Sequence, residues 1–300
     1  LDEVPSSLSE GPKLLNERKF GVRNVELPLA QIPQDLKQYR CRNNELALTA
    51  FKQIEEHVAA LLESHGDFRM GVVMGTSTSG MLSTEQALAF RKENGHFPQE
   101  FDYAQHEMNG LADFIAAYSG ITGPAYTIST ACSSSAKVFA SARALLDMEL
   151  CDAVVVGGSD SLCEFVSNGF ASLEVLSAEV SNPMSRNRKG INLGEGACVF
   201  VMERSPDGVQ LRGVGESCDA HHMSSPEPHG YGAQSAMQNA LKNAEMNPDE
   251  IQYLNLHGTG TRLNDEMEAR AVQNTFPSVP FCSSTKPSFG HCLGAAGSLE

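Results

Sequence analysis

The chain has 300 residues, 41% of them hydrophobic, and its 22 Lys and Arg against 37 Asp and Glu give a formal net charge of −15. This length and apolar content allow one large domain or two intimate halves with an ample core. The acidic balance argues against indiscriminate nucleic-acid binding. Eight cysteines, none with C-x-x-C spacing, indicate reduced thiols and a cytoplasmic setting. The start at 1–10 is polar, and no apolar run is long enough to span a membrane, so we predict a soluble protein without a membrane partner.

Short apolar strands alternate with helical patterns along most of the chain. The helical period is clearest over 44–64, where every third or fourth residue is apolar and Gly66 follows. The same criteria predict further helices over 108–118, 134–148, 231–244 and 264–273, and strands over 71–74, 125–129, 153–156, 197–202, 251–256 and 281–284.

This alternation predicts an α/β layered fold in which the sheets are mostly buried. A polar hinge at 203–208 separates two sections that share one rhythm of strand, functional turn and helix. We therefore predict two similar halves, an N-terminal half over 1–204 and a C-terminal half over 205–300.

A cysteine stands at the junction of a strand and a helix in the run 129–135, STACSSS. At such a turn several backbone N–H groups point outward and the helix dipole is positive, so the thiolate of Cys132 is favoured over the thiol. Small neighbours would let a bulky substrate approach. Buried cysteines are more often inert, so this turn alone does not establish a nucleophile.

Two histidines also follow apolar strands, His257 in NLHGTGT and His291 in STKPSFGH. Glycine, serine and threonine surround both, which allows a ligand to approach the backbone closely. A single histidine in such a place is more often structural. Two such turns and a cysteine in a third are less readily explained by chance, because active sites assemble at the ends of adjacent strands in α/β sheets.

Together these motifs resemble the chain-elongating, Cys-His-His type of β-ketoacyl-acyl-carrier-protein synthase in the thiolase-like superfamily. The matching segments are Gly123-Pro124 through TACSSS, DAHHMSSPEP at 219–228, HGTGT with NDEMEA at 257–269, and SSTKPSFGHCLGAAGSLE at 283–300. They run through about two-thirds of the chain in the family's order. The resemblance implies a thiolase-like layered α-β-α-β-α fold of two similar halves.

The resemblance also implies roles for single residues. Cys132 matches the acyl-accepting nucleophile, His257 and His291 complete its site, Lys286 matches the family's active-site lysine, and Glu268 matches the acidic residue that organises the polar network. Thr259 and Thr261 match the threonines that hydrogen-bond the phosphopantetheine arm, and Ser224 and Ser225 lie on the loop that lines its tunnel. Implied partners are acyl carrier protein and a second copy in a homodimer. No metal or other cofactor is expected.

Other interpretations stay open for some of these residues. Lys286 could be a surface lysine and Glu268 a solvated glutamate. His221 and His222 have no second ligand pair at zinc spacing, which favours a structural role over a metal site. The basic cluster Arg186, Arg188 and Lys189 could be a solvated loop, but in an acidic protein it is our preferred docking patch for an acidic carrier.

The sequence departs from the family pattern in three places. The family's first strand and its C-terminal glycine-phenylalanine-glycine loop are not found, so we expect a chain truncated at both ends. The loop 183–190 lacks the usual aromatic and acidic residues, which bears on carrier preference. Thr78 stands where some relatives have a bulky gate residue, so we predict an acyl tunnel open to longer chains.

Three alternatives to an elongating synthase follow from the same residues. The first is a non-catalytic partner subunit of the chain-length-factor type, but such subunits lack the nucleophile. The second is a thiolase-like acyltransferase acting on coenzyme A thioesters, and the third is an acyl-binding fragment without activity. Fatty-acid and polyketide or polyene pathways are not distinguished.

Overall fold

The computed structural model describes residues 22–23 and 25–300, so the polar start at 1–10 lies outside the described residues. Its strands and helices alternate as the sequence predicts. In chain order they are β1 (Val22–Arg23), α1 (Arg42–Phe51), α2 (Glu55–His65), β2 (Met70–Gly75), α3 (Met81–Asn94), α4 (Gly110–Ser119), β3 (Ala125–Ile128), α5 (Ser134–Asp147), β4 (Ala153–Asp160), α6 (Glu164–Ser172), β5 (Leu193–Gly194), β6 (Gly196–Glu203), α7 (Tyr231–Ala244), β7 (Tyr253–Asn255), α8 (Arg262–Thr275), β8 (Phe281–Ser283), α9 (Lys286–Phe289) and α10 (Ala296–Leu299).

The chain divides into two compact units that are discontinuous in sequence. Of the described residues, the cysteine unit comprises 25–172, Leu193–Ser205 and Cys292–Glu300. The histidine unit comprises Val22–Arg23, Leu173–Asn192 and Pro206–His291. The division into halves at 204 and 205 stays a prediction.

A four-stranded sheet forms the centre of the cysteine unit, in the order β3-β2-β4-β6. The first three strands are parallel and β6 is antiparallel to β4. Both central strands are buried along their whole length, as expected for strands covered on both faces. Because side chains alternate along a strand, each central strand contributes side chains to two hydrophobic clusters, one on each face of the sheet.

Helices cover the two faces of that sheet. On one face, Leu48 and Phe51 of α1 and Phe114 of α4 pack with Val72 and Val155. On the other face, α5 packs Val138, Ala142 and Leu146 against Val73, Val154 and Val156. These contacts fix α5, and with it the turn that contains Cys132, against the middle of the sheet.

The histidine unit is built around a smaller sheet. Strands β7 and β8 pair in parallel, with Leu254 opposite Cys282. Helices α7 and α8 pack beside them through a cluster of apolar side chains that includes Leu256, Val272 and Phe276. Strand β7 ends two residues before His257, and β8 leads into α9, which ends two residues before His291. The sheet therefore sets the starting point of both segments.

One predicted helix is wrong in its extent, and some helices were not predicted. The helix predicted over 44–64 is two helices, because Ile54 has φ −119° and ψ 4° and the amides of Gln53 and Ile54 bond three residues back, to Ala50 and Phe51. This break still lets Phe51 and Val58 reach the same core. Helices α3 and α6 have no sequence counterpart. Of the residues in α3 only Ala87 is fully buried, so there is no apolar stripe to detect.

Among the described residues, no helix is both long enough and apolar enough to cross a membrane.

Candidate active site

The turn that holds Cys132 is closed by its own hydroxyl groups. Cys132 is half-buried and lies two residues before the first residue of α5. The Ser134 hydroxyl donates to the carbonyl of Ala131 at 2.6 Å and accepts the N–H of Thr130 at 2.9 Å. Ala131 has φ +54°, a left-handed conformation that costs a non-glycine residue about 1–2 kcal/mol. The hydroxyl bonds hold the residue before the cysteine in this conformation.

Two glycines, Gly75 at the end of β2 and Gly158 within β4, allow the first turn of α5 to sit close to the sheet. A Cβ on Gly75 would lie 2.6 Å from the backbone nitrogen of Ser135, and one on Gly158 would lie 2.5 Å from the Cβ of Ser135. Any side chain at either position would push the helix away. The start of α5, and therefore Cys132, depends on both glycines.

In the histidine unit, a carboxylate accepts backbone N–H groups of the turn at 257–261. Leu256 extends the pairing of β7 by donating its N–H to the carbonyl of Ser283 at 2.8 Å. Glu268 of α8 then accepts the N–H of His257 at 2.6 Å and that of Gly258 at 2.8 Å. Glu268 therefore contacts the backbone of the histidine turn, which is a positioning contact. Burial raises the pKa of its carboxyl above the usual value, although the two N–H donors oppose that change.

The rings of His257 and His291 lie next to each other, with the edge of one toward the face of the other. Their centroids are 5.3 Å apart and the planes meet at 89°, an edge-to-face arrangement. His291 and Lys286 are fully buried, and His257 is half-buried. The sequence expected these three side chains in one site, and the structure brings them together within the histidine unit.

Burial and a neighbouring charge keep both imidazoles neutral. Burial lowers the pKa of His257 from the usual 6.5 to about 3, and the positive charge of Lys286 lowers it further. The pKa of His291 is also well below 6.5, chiefly through burial and then through His257 and Lys286. Each ring therefore has one N–H donor near pH 7. A neutral imidazole of this kind can donate a hydrogen bond to an oxyanion without giving up its proton.

The two threonines of the same turn contact each other. The hydroxyls of Thr259 and Thr261 are 2.8 Å apart, and the N–H of Thr261 donates to the Thr259 hydroxyl at 3.3 Å. Ser224 is exposed on an irregular segment, where its N–H donates to Nδ1 of His222, and Ser225 is half-buried. Binding of a phosphopantetheine arm by these residues stays a prediction.

Thr78 is buried in the turn that follows β2. Its hydroxyl and its N–H both donate to Oδ1 of Asp160, at 2.7 and 2.9 Å. The hydroxyl is thus held by a carboxylate within the cysteine unit. An effect of Thr78 on acyl chain length stays a prediction.

Asp160 was not among the residues expected from the sequence. It ends β4, is fully buried, and accepts the hydroxyls of Thr76 and Ser77 at 2.6 and 2.7 Å. It also accepts the N–H of Gly294 at 2.5 Å. Because a buried carboxylate must be hydrogen-bonded, this ring of donors explains how the charge is tolerated. It also ties the turn after β2 to the segment that follows His291 in the chain.

Two members of the basic cluster are paired within the histidine unit. The Arg188 side chain is 17% exposed, and its Nε lies 3.5 Å from the buried carboxylate of Asp265. Lys189 forms an ion pair with Glu179. Arg186 is exposed. Carrier docking at this cluster stays a prediction.

Asp265 was also missed. Its carboxylate accepts the N–H of Met184 at 2.7 Å and the N–H of Gly260 at 3.2 Å, so it joins the loop at 182–190 to the histidine turn. A weak signal existed, because an aspartate in the first turn of a predicted helix is well placed to accept backbone N–H groups. Its bond to Met184 spans 81 residues of the chain and left no local pattern.

Comparisons with known proteins bear out the resemblance. Residues 34–208 match the N-terminal domain of β-ketoacyl synthase, and residues 209–300 match its C-terminal domain. Nodulation protein E of Rhizobium leguminosarum bv. trifolii is 31% identical over 95% of this chain and 74% of that protein. Chloroplastic 3-oxoacyl-[acyl-carrier-protein] synthase I of Arabidopsis thaliana is 32% identical over 77% of this chain and 53% of that protein.

A solved structure agrees with these matches. The ketosynthase in complex with its chain length factor from Xenorhabdus doucetiae is 42% identical, with a TM-score of 0.89 over 96% of this chain and 73% of that chain. The fold is therefore the thiolase-like α/β fold expected from the motifs, and the chain is shorter than these relatives. It belongs to the β-ketoacyl synthase family.

Proposed function

We propose that this chain carries the condensing site of a β-ketoacyl-acyl-carrier-protein synthase. The observation that most supports this is the pair of neutral imidazoles beside Lys286, that of His291 fully buried and that of His257 half-buried. Such a pair is suited to hold negative charge on one oxygen atom. The family membership and the name of the Arabidopsis relative point to carrier-bound thioesters as substrates.

In the first step the thiolate of Cys132 attacks the carbonyl of an acyl carrier thioester. The new C–S bond forms at Cys132, the bond to the carrier's sulfur breaks, and the carrier leaves as a thiol after taking a proton. The turn before α5 favours this step, because the helix N-terminus stabilises the thiolate.

In the second step a malonyl carrier loses carbon dioxide. The electron pair of the broken C–C bond moves into the thioester, and the oxygen becomes negatively charged. N–H donors from His257 and His291 stabilise that charge as it develops. Neutral donors suit this task because they need not release a proton.

In the third step the carbanion attacks the acyl group on Cys132. A C–C bond forms, the C–S bond to Cys132 breaks, and the thiolate of Cys132 is restored for the next cycle. The product is a 3-oxoacyl carrier two carbons longer than the acyl chain. No metal or redox cofactor enters this balance. Acyl carrier protein is the proposed partner, whereas a homodimer and a cytoplasmic location stay predictions.

Mass spectrometry of the intact, full-length protein tests this proposal. Incubation with an acyl carrier should add one acyl group to the wild type and none to Cys132→Ala. The matched control is Cys282→Ala, which removes an exposed cysteine and should leave the adduct in place. An adduct that persists in Cys132→Ala, or no adduct on the wild type, would refute the assignment.

The same samples separate the alternatives. A chain-length-factor type subunit or an acyl-binding fragment would form no adduct. An acyltransferase of the coenzyme A type would react with acyl-coenzyme A at least as well as with the carrier. For an elongating synthase, His257→Ala and His291→Ala should still acylate Cys132 but should lose the release of carbon dioxide from a malonyl carrier.

A further inference from the structure

Asn192 has a fully buried polar side chain to which the proposed mechanism gives no task. It lies in the histidine unit, at the end of the segment Leu173–Asn192. A buried amide is costly unless its donors and acceptor are all satisfied. The hydrogen-bond partners of Asn192 therefore indicate which parts of the chain this side chain holds in place.

The side chain of Asn192 uses every hydrogen-bonding group that it has. Its Oδ1 accepts the N–H of Ser181 at 2.7 Å, and its Nδ2 donates to the carbonyls of Ser177 and Glu179, both at 2.9 Å. The segment 177–181 thus curves around this one amide. The N–H of Ser177 donates to the carbonyl of Ile191 at 2.9 Å and closes the loop at its base.

The main chain of Asn192 holds one of the two histidines directly. Its carbonyl accepts the N–H of His291 at 2.8 Å. His291 follows Gly290, which has φ +79° and leaves the short helix α9. The bond to Asn192 therefore acts at the point where the chain changes direction before the imidazole.

The loop around Asn192 also reaches the other histidine turn. The hydroxyl of Ser181 donates to the carbonyl of Thr259 at 3.1 Å and to that of Gly190 at 3.0 Å. A Cβ on Gly260 would lie 2.5 Å from that hydroxyl, so the turn can approach this closely only with glycine there. Asn192 is thus linked directly to His291 and, through Ser181, to the turn that begins at His257.

We infer that Asn192 is a positioning residue that sets the placement of the two imidazoles relative to each other. This inference rests on the proposed function, in which both N–H groups must point at one oxygen during decarboxylation. Misplacing a catalytic group by about 1 Å can cost about 100-fold in rate. Acyl transfer to Cys132 does not use the paired imidazoles, so it should depend much less on Asn192.

The test is the substitution Asn192→Asp in the full-length protein. The change keeps the shape of the side chain but turns an oxygen, in place of the two N–H donors, toward the carbonyls of Ser177 and Glu179. Decarboxylation of a malonyl carrier should fall about 10- to 100-fold in kcat with its KM within about twofold. Acylation of Cys132 should stay within about threefold of the wild type.

Asn182→Asp is the matched control, because Asn182 lies in the same segment but is exposed and donates to Oδ1 of Asn187. It should leave both reactions unchanged. The inference would be overturned if Asn192→Asp lost acylation and decarboxylation in equal proportion. It would also be overturned if this variant lost neither reaction. Thermal melting of each variant shows whether the loss follows the folded fraction.

Ser181→Ala decides the question if Asn192→Asp does not fold. This change removes only the bonds to Thr259 and Gly190, and one hydrogen bond is worth about 1 kcal/mol, so decarboxylation should fall about 3- to 10-fold while acylation persists. Equal rates in wild type and Ser181→Ala would then reject the inference. If the wild type itself neither acylates Cys132 nor decarboxylates the malonyl carrier, the proposed function fails and this inference fails with it.

Discussion

The neutral state of His257 leads to a direct prediction about pH. Burial and the charge of Lys286 lower its pKa from 6.5 to about 3. At pH 5 an imidazole with that pKa is about 1% protonated, whereas an ordinary histidine is about 97% protonated. Protonating the folded protein here costs about 5 kcal/mol more than protonating the unfolded chain, at about 1.4 kcal/mol per pH unit.

The sign of the effect on stability follows from proton binding. Between about pH 3 and 6.5 the unfolded chain binds this proton and the folded protein does not. The free energy of unfolding therefore falls as the pH is lowered through that window, by up to about 1.4 kcal/mol per pH unit for His257. Above the window the contribution of this group does not change.

NMR of protein with isotope-labelled histidine measures this state directly. The ring signals of His257, assigned through His257→Gln, should not move between pH 8 and 5. Lys286→Met removes the neighbouring charge, so the pKa of His257 should rise but stay below 6.5, because burial remains the larger cause. Lys242→Met, at an exposed lysine of α7 in the same unit, is the control and should leave the signal unchanged. If the ring of His257 titrates with a midpoint near pH 6.5 in the wild type, burial does not lower its pKa. If the pKa of His257 is the same in Lys286→Met as in the wild type, the charge of Lys286 has no part in lowering it.

Three further substitutions test other parts of the molecule. Gly75→Ala should displace the first turn of α5 and slow acylation of Cys132 more than 10-fold. Its control is Gly169→Ala, in a helix with open space around that position, which should leave acylation intact and raise the free energy of unfolding by up to about 1 kcal/mol. Melting curves and the mass assay compare the two, and equal behaviour would contradict the close approach at Gly75. Asp160→Asn should lower the unfolding temperature by about 5–15 °C, since an amide cannot accept from all the donors around this site and a loss of about 2–4 kcal/mol is expected; a shift below 2 °C would argue against that network. Arg186→Glu should raise the KM for acyl carrier and weaken its salt dependence, and Asn187→Glu is the neighbouring control; equal increases in both variants would remove any special role of Arg186.

Local patterns in the sequence were enough to predict the elements beside the site. Helix α7 has the predicted bounds, 231–244, because Met237 and Leu241 repeat at helical spacing and pack with Leu256. The strand before Cys132 was predicted one residue too long, and its helix was predicted to start where it does. These elements bury one apolar face, which is the property that sequence periodicity reports.

The polar contacts behind the site could not be predicted in the same way. Asp160 bonds to Thr76 across 84 residues, and Ser181 bonds to Thr259 across 78. No periodic pattern connects such pairs, because each partner looks like an ordinary polar residue in its own segment. Asp160 follows the apolar run 153–156 after two glycines and a serine, and only the structure shows that it ends a strand buried along its whole length. A charge in that position must find donors, which marks it as a residue to examine.

The discontinuous makeup of the cysteine unit has a consequence for how the chain folds during synthesis. Gly294 and Ser298 of this unit donate to Asp160 and Ser135, residues that lie 134 and 163 positions earlier. Until residues 292–300 leave the ribosome, the carboxylate of Asp160 lacks one of its donors, and the start of α5 lacks one of its contacts. Contacts of such long sequence separation form slowly, because the closure of a long loop costs entropy before the contact repays it. We therefore expect the turn around Cys132 to reach its final form only after residues 292–300 have been synthesised, about 160 residues later in the chain than the turn itself.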